Sequence, residues 1–227
     1  MKQNMMVVED DQMIRELIVM YLEKEGYDVI EAANGEEAKE KFLLDRPCLI
    51  ILDLMLPKLS GEEFCKWVKE EGDQDVSIII LSAKTRVEDK LNVFNMGADD
   101  YMVKPFEPEE LVAHVKAVLR RTGQFCQKLV HKGLCLKPLK GEVWLFNDSL
   151  SVTQIEFKIL QHMMENPNLI ITREDLINHI YPNTDQTILD RTIDAHIKKL
   201  RKKIEKDPAN PDRILTVRGW GYKFSYV

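Results

Sequence analysis

Short apolar segments alternate five times with amphipathic segments in the first half of this chain, and this alternation restricts the fold more than any other feature. Strands that are apolar along their whole length are typical of parallel sheets buried on both faces. The pattern therefore predicts an α/β domain with a doubly wound sheet of five parallel strands, each followed by a helix. The apolar segments are residues 5–8, 27–31, 48–53, 76–83 and 100–103.

Polar side chains stand where four of these segments end. Glu9 and Asp10 follow the first segment, Asp53 ends the third, Ser82 lies near the end of the fourth, and Lys104 follows the fifth. In open α/β sheets ligands bind beyond the carboxyl ends of the strands, so we expect these side chains to share one rim. Each of these residues, taken alone, is explained as a solvated loop charge or a helix cap. Only their joint occurrence at one rim favours a functional site.

The residue types in this group suggest phosphoryl chemistry. Three clustered carboxylates repel one another, and a hard divalent cation such as Mg²⁺ would relieve that repulsion. The ion would bridge a phosphoryl group to the protein, while Lys104 and the Ser82 hydroxyl would each bind a further phosphoryl oxygen. Asp53 then remains as the nucleophile.

The second half differs in charge and in pattern. Residues 1–122 hold 16 Lys and Arg against 26 Asp and Glu, a net of −10, whereas the rest holds 16 against 12, a net of +4, which together give the −6 of the chain. The alternation in residues 129–137 and 142–152 predicts a small antiparallel sheet, and capping boxes at Thr153 and Thr172 each predict a helix. An acidic half joined to a basic half suggests a regulatory module attached to one that meets a polyanion.

The last predicted helix, about residues 188–206, has an apolar stripe and a basic face. With the helix before it, joined through residues 182–187, it is similar to a helix-turn-helix, and residues 216–224 predict a glycine-tipped hairpin. A basic helix face alone is usually only a solvated surface. The side chains that project from the basic face are Arg191, Ala195, Lys198, Lys199 and Lys202.

Cysteine usage and hydropathy exclude other classes. The four cysteines form no C-x-x-C pair and have no histidines at metal spacing, which predicts neither a zinc site nor a disulfide framework. No apolar run approaches the roughly 20 residues of a membrane helix. We therefore expect a soluble cytoplasmic protein with reduced thiols and no membrane partner.

The strand-end residues, in type and order, resemble the receiver domain of bacterial two-component response regulators. The resemblance covers residues 1–121 and implies a flavodoxin-like (βα)5 domain that a sensor histidine kinase phosphorylates. The residues that carry it are Glu9-Asp10, Asp53, Ser82-Ala83, Tyr101 and Lys104-Pro105.

Particular roles are implied by this resemblance. Asp53 would be the phosphoacceptor, assisted by Ser82 and Lys104, and the Lys104-Pro105 peptide would be cis. Ser82 and Tyr101 would form the switch, in which Ser82 moves towards the phosphoryl group and the Tyr101 ring turns inwards. Glu9, Asp10, Asp53 and the backbone carbonyl of Met55 would hold Mg²⁺.

The second half is similar to the winged helix-turn-helix α+β domain of the OmpR/PhoB subfamily, which would occupy residues 129–227 after a linker at 122–128. The matching segments are LSVTQIEFKILQHM, ITREDLINHIY, DRTIDAHIKKLRKKI and TVRGWGYKF. The resemblance implies double-stranded DNA as a partner, with the basic face of the last helix in the major groove and Arg218 in the minor groove. Thr192 and Thr216 would contact phosphates, and His196 would be structural or a phosphate contact.

In this subfamily the fourth helix, fifth strand and fifth helix of the receiver form a dimer face. A dimer would place two winged helices on tandem half-sites, and RNA polymerase is a further expected partner. His114 and Asn95 depart from the subfamily pattern on that face. The charged residues expected to pair across it are Lys90, Asp99, Asp100, Glu110, Lys116 and Arg121.

Two alternatives have a place beside this interpretation. One is a DNA-binding regulator that acts without phosphorylation and uses its receiver only as a scaffold, against which the intact strand-end residues argue. The other is an aspartate-nucleophile phosphatase, which needs a second aspartate two residues after Asp53, where this chain has Met55. We therefore expect no turnover of a separate substrate.

Overall fold

The computed structural model describes residues 3–72, 75–84, 86–122, 128–182 and 190–226, the first two residues of the last range by their backbone only. The chain folds as two compact units, Met1–Gln127 and Lys128–Val227. Among the described residues, no helix is both long and apolar enough to cross a membrane.

A five-stranded parallel sheet forms the centre of the first unit. Its strands are β1 (Asn4–Val8), β2 (Asp28–Ala32), β3 (Leu49–Asp53), β4 (Ser77–Ser82) and β5 (Asp100–Val103). The strand order is β2-β1-β3-β4-β5, so the order along the sheet reverses between β1 and β3. This confirms the predicted doubly wound sheet, and the reversal places a ligand crevice beyond the carboxyl ends of β1 and β3.

Helices cover both faces of this sheet. They are α1 (Gln12–Lys24), α2 (Gly35–Asp45), α3 (Gly61–Trp67), α4 (Val87–Asn95) and α5 (Pro108–Thr122), and α3 continues into a π-helical turn, Val68–Gly72. Alternate residues of each central strand point to opposite faces: Met5 and Val7 pack with α1 and α5, whereas Met6 and Val8 pack with the side of the sheet that α2 and α3 cover. Two apolar layers therefore hold the strand ends in place.

The first residue of the predicted linker, Thr122, is the last residue of α5. Thr122 ends α5, because its hydroxyl donates to the Val118 carbonyl at 3.0 Å and accepts from the Ser77 hydroxyl at 3.0 Å. Of the remaining predicted linker, residues 123–127 lie outside the described part of the chain.

The second unit begins and ends in antiparallel sheet. A four-stranded sheet contains β6 (Leu129–His131), β7 (Leu134–Lys137), β8 (Glu142–Leu145) and β9 (Asp148–Ser149). The small antiparallel sheet predicted here is present, and residues 129–137 contribute a hairpin to it, because Lys132 and Gly133 both have positive φ, of 45° and 78°, and reverse the chain.

Three helices and a second small sheet complete this unit. The helices are α6 (Gln154–Glu165), α7 (Arg173–Ile180) and α8 (Asp190–Ile204), and the strands are β10 (Ile170–Thr172), β11 (Ile214–Val217) and β12 (Gly221–Phe224). Both predicted capping boxes are confirmed, at the starts of α6 and α7. The predicted hairpin of β11 and β12 is also present, but β10, which pairs with β12, was not predicted. The predicted connection between α7 and α8 falls almost wholly outside the described residues.

Candidate functional site

Asp53 ends β3 in a loop that packs tightly behind it. The residue is 6% exposed, and its Oδ1 accepts a hydrogen bond from the Met55 backbone N–H at 3.0 Å. A Cβ at Gly61 would lie 2.1 Å from the Asp53 carbonyl oxygen and 2.7 Å from Leu54 Cα. Only glycine, which has no Cβ, can lie this close to the backbone of residues 53 and 54. Gly61, eight positions after Asp53, therefore fixes the path of the loop.

Three carboxylates meet beside this loop. Glu9, Asp10 and Asp53 each offer one oxygen atom, and these atoms all lie within 4.8 Å of one another. Glu9 is buried and Asp10 is exposed. The neighbouring Asp11 does not belong to the cluster, because its side chain caps α1 by accepting from the backbone N–H groups of Met13 and Ile14. The three consecutive acids after β1 therefore have different roles.

Lys104 joins two of these carboxylates. Its Nζ donates to Glu9 Oε2 and to Asp53 Oδ2, each at 2.6 Å, and its backbone N–H donates to the Ser82 carbonyl at 2.9 Å. Burial and the nearby Asp53 raise the pKa of Glu9 above its ordinary value, although Lys104 opposes this. Burial alone would lower the pKa of Lys104, but the hydrogen bonds to Asp53 and Glu9 outweigh it and raise that pKa. The Lys104-Pro105 peptide is cis, as the family resemblance implied.

The donor set fits a hard divalent cation. All three candidate ligands are carboxylates, the donors that Mg²⁺ prefers. Because one ammonium group faces three carboxylates, the cluster retains an excess of about two negative charges when all are ionised. Glu9, Asp10 and Asp53 therefore suit Mg²⁺, and the exposed Asp10 leaves the cluster open to solvent on one side.

Ser82 and Tyr101 are linked through one short loop. Ser82 is fully buried, and its Oγ accepts from the Lys84 backbone N–H at 3.2 Å. The Tyr101 ring is 9% exposed, and its hydroxyl donates to the Lys84 carbonyl. Lys90 Nζ lies 5.6 Å from the centre of that ring. The peptide groups of Lys84 thus contact both residues that the resemblance assigned to the switch.

Most residues of the predicted dimer face have partners within the chain. Asp99 pairs with Lys69 at 3.3 Å, Asp100 Oδ2 lies 2.7 Å from His114 Nδ1, and Lys116 pairs with Glu25 at 2.5 Å. Of the other predicted residues, Glu110 lies 4.0 Å from His114, and Arg121 is exposed, as is Asn95. An exposed apolar stripe on α4, which the sequence analysis missed, is formed by Val87, Leu91 and Phe94.

The helix α8 has the two faces that its sequence predicts. Its apolar stripe, from Ile193 to Ile204, is buried in the core of the second unit. His196 is half-buried, and its Nδ1 is a buried atom with no hydrogen-bond partner in the described part of the chain. The exposed residues are Thr192, Ala195, Lys198, Lys199 and Lys202, while the side chain of Arg191 lies outside the described atoms.

Arg201 holds the β11–β12 hairpin against α8. Its guanidinium donates to the Ile214 carbonyl at 3.0 and 2.6 Å and to the Thr216 hydroxyl at 2.8 Å. Thr216, predicted to contact phosphate, therefore has a partner within the chain, although it remains exposed. Arg218 is also exposed, near the hairpin tip. Sequence periodicity placed Arg201 on neither face of the helix and gave no signal for this contact.

A second polar cluster connects three elements of this unit. Asp194 on α8 accepts from Arg173 Nε at 2.8 Å and from the Tyr222 hydroxyl at 2.6 Å. Burial would raise the pKa of Asp194, but the hydrogen bonds from Tyr222 and Arg173 hold it below its ordinary value. The helix pair and the hairpin are therefore fixed to each other by a charged group that stays ionised at neutral pH.

Comparison with known proteins agrees with this geometry. The family described as "Response regulator receiver domain" matches residues 5–116, and "Transcriptional regulatory protein, C terminal" matches residues 147–224. The chain is 40% identical to the phosphate regulon transcriptional regulatory protein PhoB of Escherichia coli, over 99% of each chain. It is 37% identical to the probable transcriptional regulator ycf27 of Guillardia theta, over 100% of this chain and 92% of that one.

A solved structure is similar to the first unit. The receiver domain of a Francisella response regulator aligns with 53% of this chain and 99% of its own, at 31% identity and a TM-score of 0.51. One family matches the half that contains the Asp53 cluster, and the other matches the half that contains α8 and the β11–β12 hairpin. This chain is therefore a response regulator that joins a receiver domain to an OmpR/PhoB-type transcriptional regulatory domain.

Proposed function

We propose that a sensor histidine kinase phosphorylates this protein on Asp53, and that the phosphorylated protein dimerises and binds promoter DNA. The observation that carries the proposal is the Lys104 ammonium, which lies 2.6 Å from both Glu9 and Asp53 inside the acidic cluster. A single cation shared by a strand-end carboxylate and its neighbour suits phosphoryl transfer to aspartate, because it provides one donor for a phosphoryl oxygen.

The cluster supports the transfer step as follows. Glu9, Asp10 and Asp53, with the backbone carbonyl of Met55, would hold Mg²⁺, which supplies positive charge against the phosphoryl oxygens. Asp53 Oδ1 is held by the Met55 N–H, and Oδ2 would bond to phosphorus while the phosphorus–nitrogen bond to the kinase histidine breaks. The imidazole, already protonated on its other ring nitrogen, takes the electron pair of that bond and leaves as the neutral ring. Lys104 then donates to a phosphoryl oxygen instead of to Asp53.

The loop around Lys84 offers a route from Asp53 to the surface. A phosphoryl oxygen on Asp53 would be a charged acceptor for the Ser82 hydroxyl, and charge-assisted hydrogen bonds are the stronger ones. As Ser82 moves, its Oγ gives up the Lys84 backbone N–H, and the Lys84 carbonyl is the group that holds the Tyr101 hydroxyl. The two-state element is therefore the pair Ser82 and Tyr101, and β5 and α4 are the elements that it biases.

The biased surface suits self-association. The exposed stripe of Val87, Leu91 and Phe94 would be covered in a dimer of receiver domains, and the charged residues of α4, β5 and α5 surround it. The pairs within the chain, such as Asp100 with His114, must open or be shared for those charges to pair across the interface. A receiver that dimerises permanently as a scaffold would be the second candidate, but it gives no reason for a half-buried Lys104 that is shared by Glu9 and Asp53.

The second unit would bind DNA with α8 in the major groove. The exposed lysines on α8 would contact phosphates and bases, and Arg218 would enter the minor groove. Two protomers would occupy tandem half-sites, and bound protein would recruit RNA polymerase in the cytoplasm. The protein would act as a regulator that assists its own phosphorylation and turns over no separate substrate.

Phosphorylation of Asp53 is tested with a small-molecule phosphodonor and Mg²⁺ on the full chain. We expect intact-mass spectrometry to find one phosphoryl group on the wild type, and size-exclusion chromatography to show a shift towards dimer. Asp53→Asn should give neither change, whereas the control Asp28→Asn, at an exposed residue of β2 at the opposite edge of the sheet from β5, should behave as the wild type. An unmodified wild type, or a labelled Asp53→Asn variant, would refute the assignment.

A further inference from the structure

The tip of the β11–β12 hairpin is a tight turn. The Trp220 backbone N–H donates to the Val217 carbonyl at 3.0 Å, and Gly219, at the third position, has φ of +80°. This is the backbone conformation of a turn that requires glycine at that position. A Cβ at Gly221 would lie 2.2 Å from the Ile171 carbonyl oxygen, so the second glycine lets β12 approach β10 closely. The turn therefore projects its side chains from a fixed backbone.

Trp220 is the largest side chain on this turn, and it lies in solvent. It is 68% exposed, and its indole has no aromatic neighbour or hydrogen-bond partner within the described ranges. The other two tryptophans differ, because Trp67 packs with its ring centre 5.5 Å from that of Phe42 and the Trp144 indole donates to Glu142. Binding usually costs free energy because it orders a flexible loop. This cost is small for Trp220, because the turn that carries it is already rigid.

The surroundings of Trp220 favour a polyanion over a protein as its partner. Arg218 is exposed two residues before it, and Lys223 is half-buried three residues after it. Aromatic side chains that anchor protein interfaces stand within an apolar patch, whereas an aromatic group beside cations is typical of surfaces that contact nucleic acid.

We infer that Trp220 packs against the sugars of the DNA minor groove beside Arg218 and supplies affinity that does not depend on charge. This inference rests on the proposed DNA binding of the second unit. Because the indole is neutral, it releases no counterion, whereas each lysine that contacts a phosphate does. Trp220 would therefore strengthen binding equally at low and at high salt.

The test uses the full chain and a fluorescein-labelled duplex that the wild type enriches from a randomised pool. We expect Trp220→Ala to weaken binding about tenfold, in line with alanine substitutions at aromatic groups that stack on bases, and Trp220→Phe to retain most of the affinity. The slope of log K against log salt should not change in Trp220→Ala, but it should decrease by about one unit in Lys198→Ala. Leu169→Ala, at another exposed apolar residue of this unit, is the matched control.

Tryptophan fluorescence gives a second readout. Wild-type emission should change when the duplex is added, and this change should vanish in Trp220→Phe, which keeps Trp67 and Trp144. If the wild type binds the duplex, but Trp220→Ala binds as tightly or the wild-type emission does not respond, the inference is wrong and the proposed function stands. If the wild type enriches no duplex, both are wrong. Far-ultraviolet circular dichroism checks that Trp220→Ala retains the fold.

Discussion

Replacing Lys104 with methionine should destabilise the first unit in a way that Mg²⁺ reverses. Methionine retains most of the apolar stem but removes the ammonium, which leaves Glu9 and Asp53 without their shared donor. The side chains of Lys104, Glu9 and Asp53 are only 17%, 1% and 8% exposed, so solvent screens this loss weakly.

The magnitude follows from the two contacts. Removal of one partner of a buried, hydrogen-bonded ion pair costs about 3–5 kcal/mol, and we expect about 3 kcal/mol here because Lys104 keeps some contact with water. Mg²⁺ at 100 times its dissociation constant stabilises the folded state by about 2.7 kcal/mol. The variant should gain more from Mg²⁺ than the wild type does, because no ammonium competes for the carboxylates.

Urea unfolding, with and without Mg²⁺, measures both effects. Trp67 reports on the first unit alone if Trp144 and Trp220 are replaced by phenylalanine in all variants. Lys41→Met is the matched control, because Lys41 pairs with Glu37 at 2.7 Å on the surface, where such a pair contributes only about 0.3–0.5 kcal/mol. A loss below about 1 kcal/mol in Lys104→Met, or an equal gain from Mg²⁺ in both proteins, would refute the reasoning.

Two other predictions follow from packing and from titration. Gly61→Ala should lower the free energy of unfolding by about 1–3 kcal/mol and slow phosphorylation of Asp53, because the new methyl group would clash with backbone atoms. The control is Gly72→Ala, whose new methyl group would lie nearest a Phe42 side-chain carbon, at 3.1 Å. Urea unfolding should show a smaller loss of free energy for this control than for Gly61→Ala. In the second unit, burial and the stacked His179 ring, 4.1 Å away, lower the pKa of His162 below its ordinary 6.5. The unfolded chain then binds the proton more readily, so stability should be constant well above pH 6.5 and fall as pH decreases through 6.5 towards the folded-state pKa. His162→Gln should reduce this slope in thermal unfolding, and an unchanged slope would contradict the assignment.

The sequence predicts the first unit well because its signals are local. The strand Asp100–Val103 has the predicted bounds, and each of the five apolar segments coincides with one strand of the sheet. Four of the strand-end residues, Glu9, Asp10, Asp53 and Lys104, also meet as expected, because parallel strands end at one edge of a sheet. The contact between Lys104 and Glu9 could not be read from the chain, since the two residues are 95 positions apart.

Predictions fail where a contact between distant elements decides the structure. The strand Ile170–Thr172 exists only because β12 pairs with it, and its three residues have no alternation of their own. The dimer face is a different case and stays a prediction: composition indicates both signs on that face, and within the single chain Asp99 and Lys116 have partners on other elements of their own unit. Surface charge alone therefore does not distinguish pairs within a chain from pairs between chains.

The cluster around Asp194 would fix the spacing between the two DNA contacts of one protomer. Because Arg173 and Tyr222 bind the same carboxylate, the helix that would lie in one groove and the hairpin that would reach the next cannot move independently. The distance between the groove contact of α8 and the groove contact of the hairpin would then be the same at every half-site. Variation in operator length would have to be accommodated between protomers and not within one.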